Sequence, residues 1–237
     1  MIDFHSHILP RMDDGSKDVA ESLKLLTMLA EQGVKTVVAT PHFYANDEPL
    51  DKFLSRRAAS FEALSRAVSA DMPEIRLGAE VRYYQGISRL SGLKELCIQG
   101  TNLLLLEMPS SRWTEHTARE VVDLCCRGDI TVILAHVERY WVLQSRVVQD
   151  LVSGSGVLMQ ANAEFFNSFA TRRRGLRLLD TGGIHLLGSD CHSVAHRPPR
   201  IGQAFDYVRR KRGDRFLQDI LTFEDELLRG ADVGNGH

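Results

Sequence analysis

A chain of 237 residues has room for one large α/β domain built around a single core. Hydrophobic residues make up 43% of it and charged residues 25%, an ordinary globular balance, and no apolar run approaches the ~20 residues that a membrane helix needs. The net charge of −2 argues against a nucleic-acid partner, and the basic runs Arg172-Arg173-Arg174 and Arg209-Arg210-Lys211-Arg212 read as solvated helix faces.

The chain opens Met1-Ile2-Asp3-Phe4-His5-Ser6-His7, an apolar strand running into two histidines spaced by two. Alternate side chains of a strand share a face, so His5 and His7 are expected to project together, with Asp13-Asp14-Gly15 able to add a carboxylate from the next loop. Asp18 and Glu21 form a capping box for a helix carried by Leu25, Leu26, Leu29 and Ala30 and stopped at Gly33. Residues 35–40 read as a second strand, ending in Pro41-His42. A helix over 51–70 leads to a third strand at 75–79 that ends in Glu80. The fourth strand, 102–106, ends in Glu107, and after a helix over 114–127 the fifth, 130–135, ends in His136. A helix near 140–151 precedes a sixth strand at 156–161. A basic helix over 172–181 then leads to a seventh at 184–188, followed by Ser189-Asp190-Cys191-His192. Helices near 201–212 and 215–229 close the fold, and 230–237 reads as a frayed tail.

Seven apolar strand candidates alternating with helices predict an α/β fold, a distorted TIM-like (β/α)7 barrel forming one domain over 1–237. The alternative, a doubly wound open sheet, does not gather residues from every strand end around one axis. The N-terminus has no basic segment followed by an apolar run, and Cys97, Cys125, Cys126 and Cys191 lack a disulfide or CxxC pattern; the expectation is reduced thiols in a cytoplasmic protein.

In a βα barrel the C-terminal strand ends form the rim where active sites sit. His5, His7, His42, Glu80, Glu107, His136, Asp190 and His192 all fall there. Any one of them has a dull explanation as a loop hydrogen-bonder or a helix cap. Together they repel and desolvate one another unless something compensates them, and divalent cations do that. With Asp14, the set holds four carboxylates and five histidines. Three divalent ions leave an excess of about two positive charges, which suits a phosphate dianion. Mixed nitrogen and oxygen ligation without thiolate favours Mn, Fe or Zn over Ca or Mg.

The motifs HSHILP…DDG, ATPHF, GAEVR, LLLEMP, AHVERY and GSDCH, in order from residue 1 to about 202, resemble the polymerase-and-histidinol-phosphatase (PHP) superfamily. They are most similar to its bacterial protein-tyrosine phosphatases associated with capsule and exopolysaccharide synthesis. The resemblance implies a metal-dependent phosphatase that dephosphorylates the phosphotyrosine tail of a bacterial tyrosine autokinase, with a metal-bound hydroxide as nucleophile. It implies three divalent ions, Mn ahead of Fe or Zn. His5, His7, Glu80 and Asp190 would hold one ion, Glu80, Glu107 and His136 a second, and Asp14, His42 and His192 a third. Arg139 and Arg197 match positions where the family places phosphate-stabilising arginines, as bidentate guanidinium chemistry permits. Asp13 could compete with Asp14, and the resemblance favours Asp14. Departures from the family pattern are Pro10-Arg11, Val137 and Cys191; none removes a ligand, and Arg11 is a candidate for tuning substrate choice.

Two further readings use the same residues: a small-molecule phosphatase of the histidinol-phosphatase type, and a catalytically silent PHP scaffold. Amidohydrolases also carry HxH on the first strand, but Glu107 stands where their lysine is frequent. A cysteine phosphatase at Cys191 is discounted, because Cys and His stand in the wrong order and the segment to Arg197 lacks glycine. Phe43 and Tyr44 could stack on an aryl phosphate or pack a loop, and Phe165, Phe166 and Phe169 could form a lid or join the core. The sequence leaves an oligomer open.

Overall fold

The computed structural model describes residues 1–230. The elements run β1 (Ile2–Ser6), α1 (Val19–Glu31), β2 (Thr36–Ala39), β3 (His42–Phe43), α2 (Leu50–Ser65), β4 (Glu74–Leu77), β5 (Glu80–Arg82), β6 (Leu103–Glu107), α3 (Glu115–Cys125), β7 (Thr131–Leu134), α4 (Arg146–Ser153), β8 (Leu158–Asn162), α5 (Glu164–Asn167), α6 (Arg172–Asp180), β9 (Leu186–Gly188), α7 (Ile201–Arg212) and α8 (Asp214–Leu228). Every strand pairing is parallel. One sheet runs β1-β2-β4, and a curled six-stranded one runs β3-β5-β6-β7-β8-β9.

Two expected strands are interrupted. Pro41 has no N–H to donate, and the second strand breaks there into β2 and β3. The third breaks at Gly78-Ala79 into β4 and β5, so Glu80 begins a strand segment rather than ending one. β2 pairs with β4, and β3 with β5. At the other side, the amide of Asp190 donates to His5 O at 2.8 Å and that of His7 to Cys191 O at 2.9 Å, joining β1 to the segment after β9. Asp3 reinforces this seam, accepting from the amides of Ser189 at 2.7 Å and His5 at 3.3 Å.

The sheets face two ways, and the apolar residues divide accordingly. Val37, Leu104, Leu106, Val132 and Leu134 pack against the helices. Their alternates Val38, Leu103, Leu105 and Ile133 form a second cluster with Ile2, Phe4 and Leu186, and Leu227 and Leu228 of α8 belong to it. The alternation is period two, as strands require, and the last helix packs on the interior cluster near the start of β1.

α1 begins at the predicted cap, with Asp18 accepting from the Glu21 amide at 2.8 Å. Glu21, however, accepts from the Lys17 amide at 3.2 Å, one residue before the cap, so the reciprocal half of the capping box is displaced. Elsewhere the helices differ from expectation. α2 stops at Ser65. The helix expected from 140 starts at Arg146 after 3-10 turns; the stretch after β5, for which no helix is expected, also forms short 3-10 turns, at Ile87–Arg89 and Leu93–Leu96. From 231 onward, the expected tail lies outside the described residues. Among the described residues, no helix is long and apolar enough to cross a membrane. All four cysteines are free.

Candidate metal centre

β1 carries one extra residue relative to β2: Asp3 pairs with Val37 but Ser6 with Ala39. Phe4 and His5 fall in this bulge. Phe4 therefore stays in the interior cluster while His5 turns to the same side, a reorientation that strict alternation forbids. His5 and His7 then meet, Nε2 to Nε2, at 3.2 Å. Two of the strand-end residues use left-handed backbone to turn inward, His136 at φ 36° and Asp190 at φ 52°. Such conformations are costly for non-glycine residues and concentrate at functional sites.

Two glycines permit the crowding. A Cβ on Gly188 would lie 2.5 Å from the His5 Cβ, and one on Gly15 would lie 2.5 Å from the His7 Cβ.

Around the two facing imidazoles, Glu80 Oε2 lies 3.1 Å from His5 Nε2 and 3.3 Å from His7 Nε2. Asp190 Oδ1 lies 3.6 and 3.5 Å from the same two atoms. Donors about 2.1 Å from a tetrahedral ion are separated by about 3.4 Å; His5, His7 and Asp190 can converge on one ion, and Glu80 Oε2 stands at similar spacing from both imidazoles. The other oxygen of Glu80, Oε1, lies 2.8 Å from His136 Nε2, which in turn is 3.9 Å from Glu107 Oε1. Asp14 Oδ1 lies 3.6 Å from His42 Nε2 and 3.5 Å from His192 Nε2. His42 Nδ1 approaches Glu80 Oε2 at 3.1 Å without hydrogen-bond alignment, and it, His136 Nδ1 and Glu107 Oε2 are buried without partners. Such orphaned donors and acceptors are rare in native structures. All nine expected residues therefore gather in one place, and three groups among them can converge on ions: His5, His7 and Asp190; His7, Asp14, His42 and His192; and His42, Glu80 and Glu107.

The electrostatics show a demand for positive charge. Burial opposes ionisation of Glu80 and Asp190, but the surrounding histidines, His5 foremost, outweigh it and hold both carboxyls well below their ordinary range. In return, burial opposes protonation of His5 and His7, yet the carboxylates raise both, His7 strongly. His136 is lowered by burial, and His192 is pushed down to about 4 by burial together with the positive charge of His7 and Arg197. Protons on the first two histidines meet the same need that a divalent cation meets.

Several ligand orientations are fixed by residues the sequence did not single out. Gln160 Oε1 accepts from the His136 amide at 2.8 Å and faces His5 Nδ1 at 3.2 Å, leaving His5 Nε2 free for the centre. Its amide donates to Asn162 Oδ1 at 3.1 Å, and Asn162 donates to Asp190 Oδ2 at 2.7 Å. The alternating Gln160 and Asn162 in an otherwise apolar strand were the available signal. Asp13 takes the analogous role for His7, 2.7 Å from its Nδ1, and also accepts from the His42 and Gly15 amides. Asp13 is buried and Asp14 is 70% exposed with an oxygen toward the imidazoles, so the two adjacent aspartates are divided between orienting and facing the centre.

Arg139 and Arg197 both reach the centre, donating to Asp190 Oδ2 at 2.6 and 2.5 Å. Arg197 also contacts His192 Nε2 at 2.9 Å. Other candidates fall elsewhere. Arg11 bonds Lys17 O at 3.2 Å and lines a separate groove with Asp18 and Arg56. Phe43 packs in the core on Phe53, Phe165 and Phe166 are buried, and Phe169 is exposed beneath the Arg172 guanidinium. Cys191 is fully buried, and burial pushes its thiol up to about 12, which removes it as a nucleophile.

The family described as "Capsular polysaccharide synthesis, CpsB/CapC" matches residues 1–228. Tyrosine-protein phosphatase YwqE of Bacillus subtilis is 31% identical over 96% of this chain and 91% of its own. A solved structure from work on YwqE of Bacillus subtilis and CpsB of Streptococcus pneumoniae, described as unique metal-dependent tyrosine phosphatases, superposes with a TM-score of 0.80. It is 25% identical and covers 97% of this chain and 94% of that one. Histidinol phosphate phosphatase of Lactococcus lactis, solved with zinc, L-histidinol and phosphate, superposes with a TM-score of 0.56 at 15% identity, covering 92% and 93%; that likeness is one of fold alone.

Proposed function

Because the chain belongs to the CpsB/CapC capsular polysaccharide synthesis family, we propose that it is a metal-dependent protein-tyrosine phosphatase. The observation that carries this reading is the spacing of four donors, from His5, His7, Glu80 and Asp190, at 3.1–3.6 Å, the edge lengths of a coordination shell. Three divalent ions are proposed, Mn ahead of Fe or Zn. His5, His7, Glu80 and Asp190 would hold the first, Glu80, Glu107 and His136 the second, and Asp14, His42 and His192 the third. The two oxygens of Glu80 face different neighbours, which supports the shared role given to it. When bound, such ions supply an activated water and positive charge toward the phosphoryl oxygens.

The chain's own groups do the rest. Arg139 and Arg197 sit at the edge of the centre; the N–H groups of Arg139 beyond the one on Asp190, and those of Arg197 beyond the ones on Asp190 and His192, are available to phosphoryl oxygens. Gln160 and Asp13 keep the Nε2 atoms of His5 and His7 directed inward. Phosphotyrosine is taken in from the open side marked by Asp14, and tyrosine and phosphate leave there.

The substrate we propose is a phosphotyrosine-bearing protein, the C-terminal tail of a bacterial tyrosine autokinase, in the cytoplasm, with capsular or extracellular polysaccharide synthesis as the process regulated. The (β/α)7 barrel and the single domain over 1–237 belong to the same reading. Each interrupted strand counts once, and the hydrogen bonds from His7 and Asp190 support closure between β1 and β9.

The test compares kcat/KM of the metal-loaded protein on a phosphotyrosine peptide and on histidinol phosphate. A preference for the peptide is expected. A preference for histidinol phosphate overturns the protein-phosphatase reading, and no turnover of either ester leaves a silent scaffold.

A further inference from the structure

A cavity of 450 Å³ is lined by Asp14 and His42, with Tyr44, Asp47, Lys52 and Arg56 among the other residues around it. Tyr44 supplies the aromatic carbocycle among the residues lining this cavity. Its ring stacks on the His42 imidazole, with centroids 5.2 Å apart and planes at 20°, and the Arg82 guanidinium lies over it at 5.6 Å. Tyr44 and Asp47 also line a neighbouring cavity of 390 Å³, together with Arg82, Tyr83 and Tyr84. The Tyr44 ring is therefore a partition held between a candidate ligand histidine and a cation. The far wall is fixed too, because Glu120 accepts from the Gly86 amide at 2.5 Å and from the Tyr83 hydroxyl.

We propose that the 450 Å³ cavity is the leaving-group subsite and that Tyr44 makes the site selective for aryl over alkyl phosphate esters. This rests on the phosphatase reading above. A phosphoryl group held beside Asp14 and His42 would place its ester oxygen and the attached group in the cavity that Tyr44 also lines. With His42 and Arg82 on its faces, Tyr44 offers its edge, which an aryl group meets with its π-face, whereas an alkyl group offers no π-system to it. Aromatic pairs of this kind are worth roughly a threefold to tenfold preference beyond buried area. Arg82 over the ring keeps it in place, so the wall exists before the substrate arrives.

The test uses full-length, metal-loaded Tyr44→Leu and Tyr44→Phe. They are assayed on a phosphotyrosine peptide and on the phosphoserine peptide of the same sequence, with bound metal measured for each variant. Calorimetric dissociation constants for phenylphosphonate and ethylphosphonate give a readout independent of turnover. Tyr44→Leu should lower the aryl-to-alkyl ratio of kcat/KM by roughly threefold to tenfold, and the phenyl-to-ethyl binding ratio similarly. Tyr44→Phe should keep both ratios, with metal content unchanged throughout. Equal losses on both esters, or unchanged ratios, overturn the proposal and leave Tyr44 as a support for His42. If the parent protein cleaves neither ester, the phosphatase reading fails. The subsite then stands or falls on whether phenylphosphonate binds more tightly than ethylphosphonate and loses that advantage in Tyr44→Leu.

Discussion

Arg139 and Arg197 donate to one and the same oxygen, Asp190 Oδ2, at 2.6 and 2.5 Å, while Oδ1 of that carboxylate faces His5 and His7. Asp190 thus ties two guanidinium groups to the candidate metal centre. Both arginine side chains are about two-fifths exposed, so their outer N–H groups remain open to a ligand.

Removing either arginine should slow catalysis without emptying the centre. Arg139→Ala and Arg197→Ala are each expected to lower kcat on a phosphotyrosine peptide roughly a hundredfold, the scale of losing one donor to a developing oxyanion. Arg→Lys at either position should restore little, since a lysine lacks the planar fork. Steady-state kinetics paired with metal analysis checks this, and loss of metal in parallel with activity would assign the arginines a structural role instead.

Gln160 and Gly188 should act through His5. Gln160→Leu removes the acceptor facing His5 Nδ1 and the partner of the His136 amide, and metal affinity is expected to fall roughly tenfold to a hundredfold. Gly188→Ala places a Cβ against the His5 Cβ and should weaken binding as well. Competition with a chelator of known affinity measures both.

Glu224 gives a stability prediction away from the centre. It is buried on α8, and burial raises its carboxyl well above the ordinary value. Asp225 and Asp3 push in the same direction, while the N-terminal ammonium and the Ile2 amide oppose. The folded protein therefore keeps this proton at pH values where the unfolded chain has released it. Stability must fall as pH rises from the unfolded value toward the folded one, then remain reduced. Glu224→Gln, which does not titrate, should raise Tm at neutral and alkaline pH and change it little near pH 4. Thermal melts across pH check this; an equal shift at every pH contradicts it.

Much of the centre was legible because strand ends are marked in sequence: β-rich runs halt at His42, Glu107 and His136. The division of the two aspartates was not, since Asp13 and Asp14 differ only in which one the DDG turn buries. Nor was the bulge at Phe4 and His5, which depends on register with β2. Gln160 and Asn162 escaped notice because amides are poor metal ligands, and their role is to hold those that are better. Between the third and fourth strands, where the sequence marks no helix, the chain makes only short 3-10 turns at Ile87–Arg89 and Leu93–Leu96. Gly86 and Gly92 adopt left-handed backbone there, at φ 91° and 79°, and confine the chain to single turns.

We propose that the nine clustered side chains hold divalent ions that the reaction requires. The most direct test strips the protein with a chelator, then titrates Mn back while following phosphate release from a phosphotyrosine peptide. The account predicts no turnover in the stripped protein and a return of activity with bound metal that saturates near about three ions per chain. Full activity in the stripped protein, or metal binding that restores none, would contradict it.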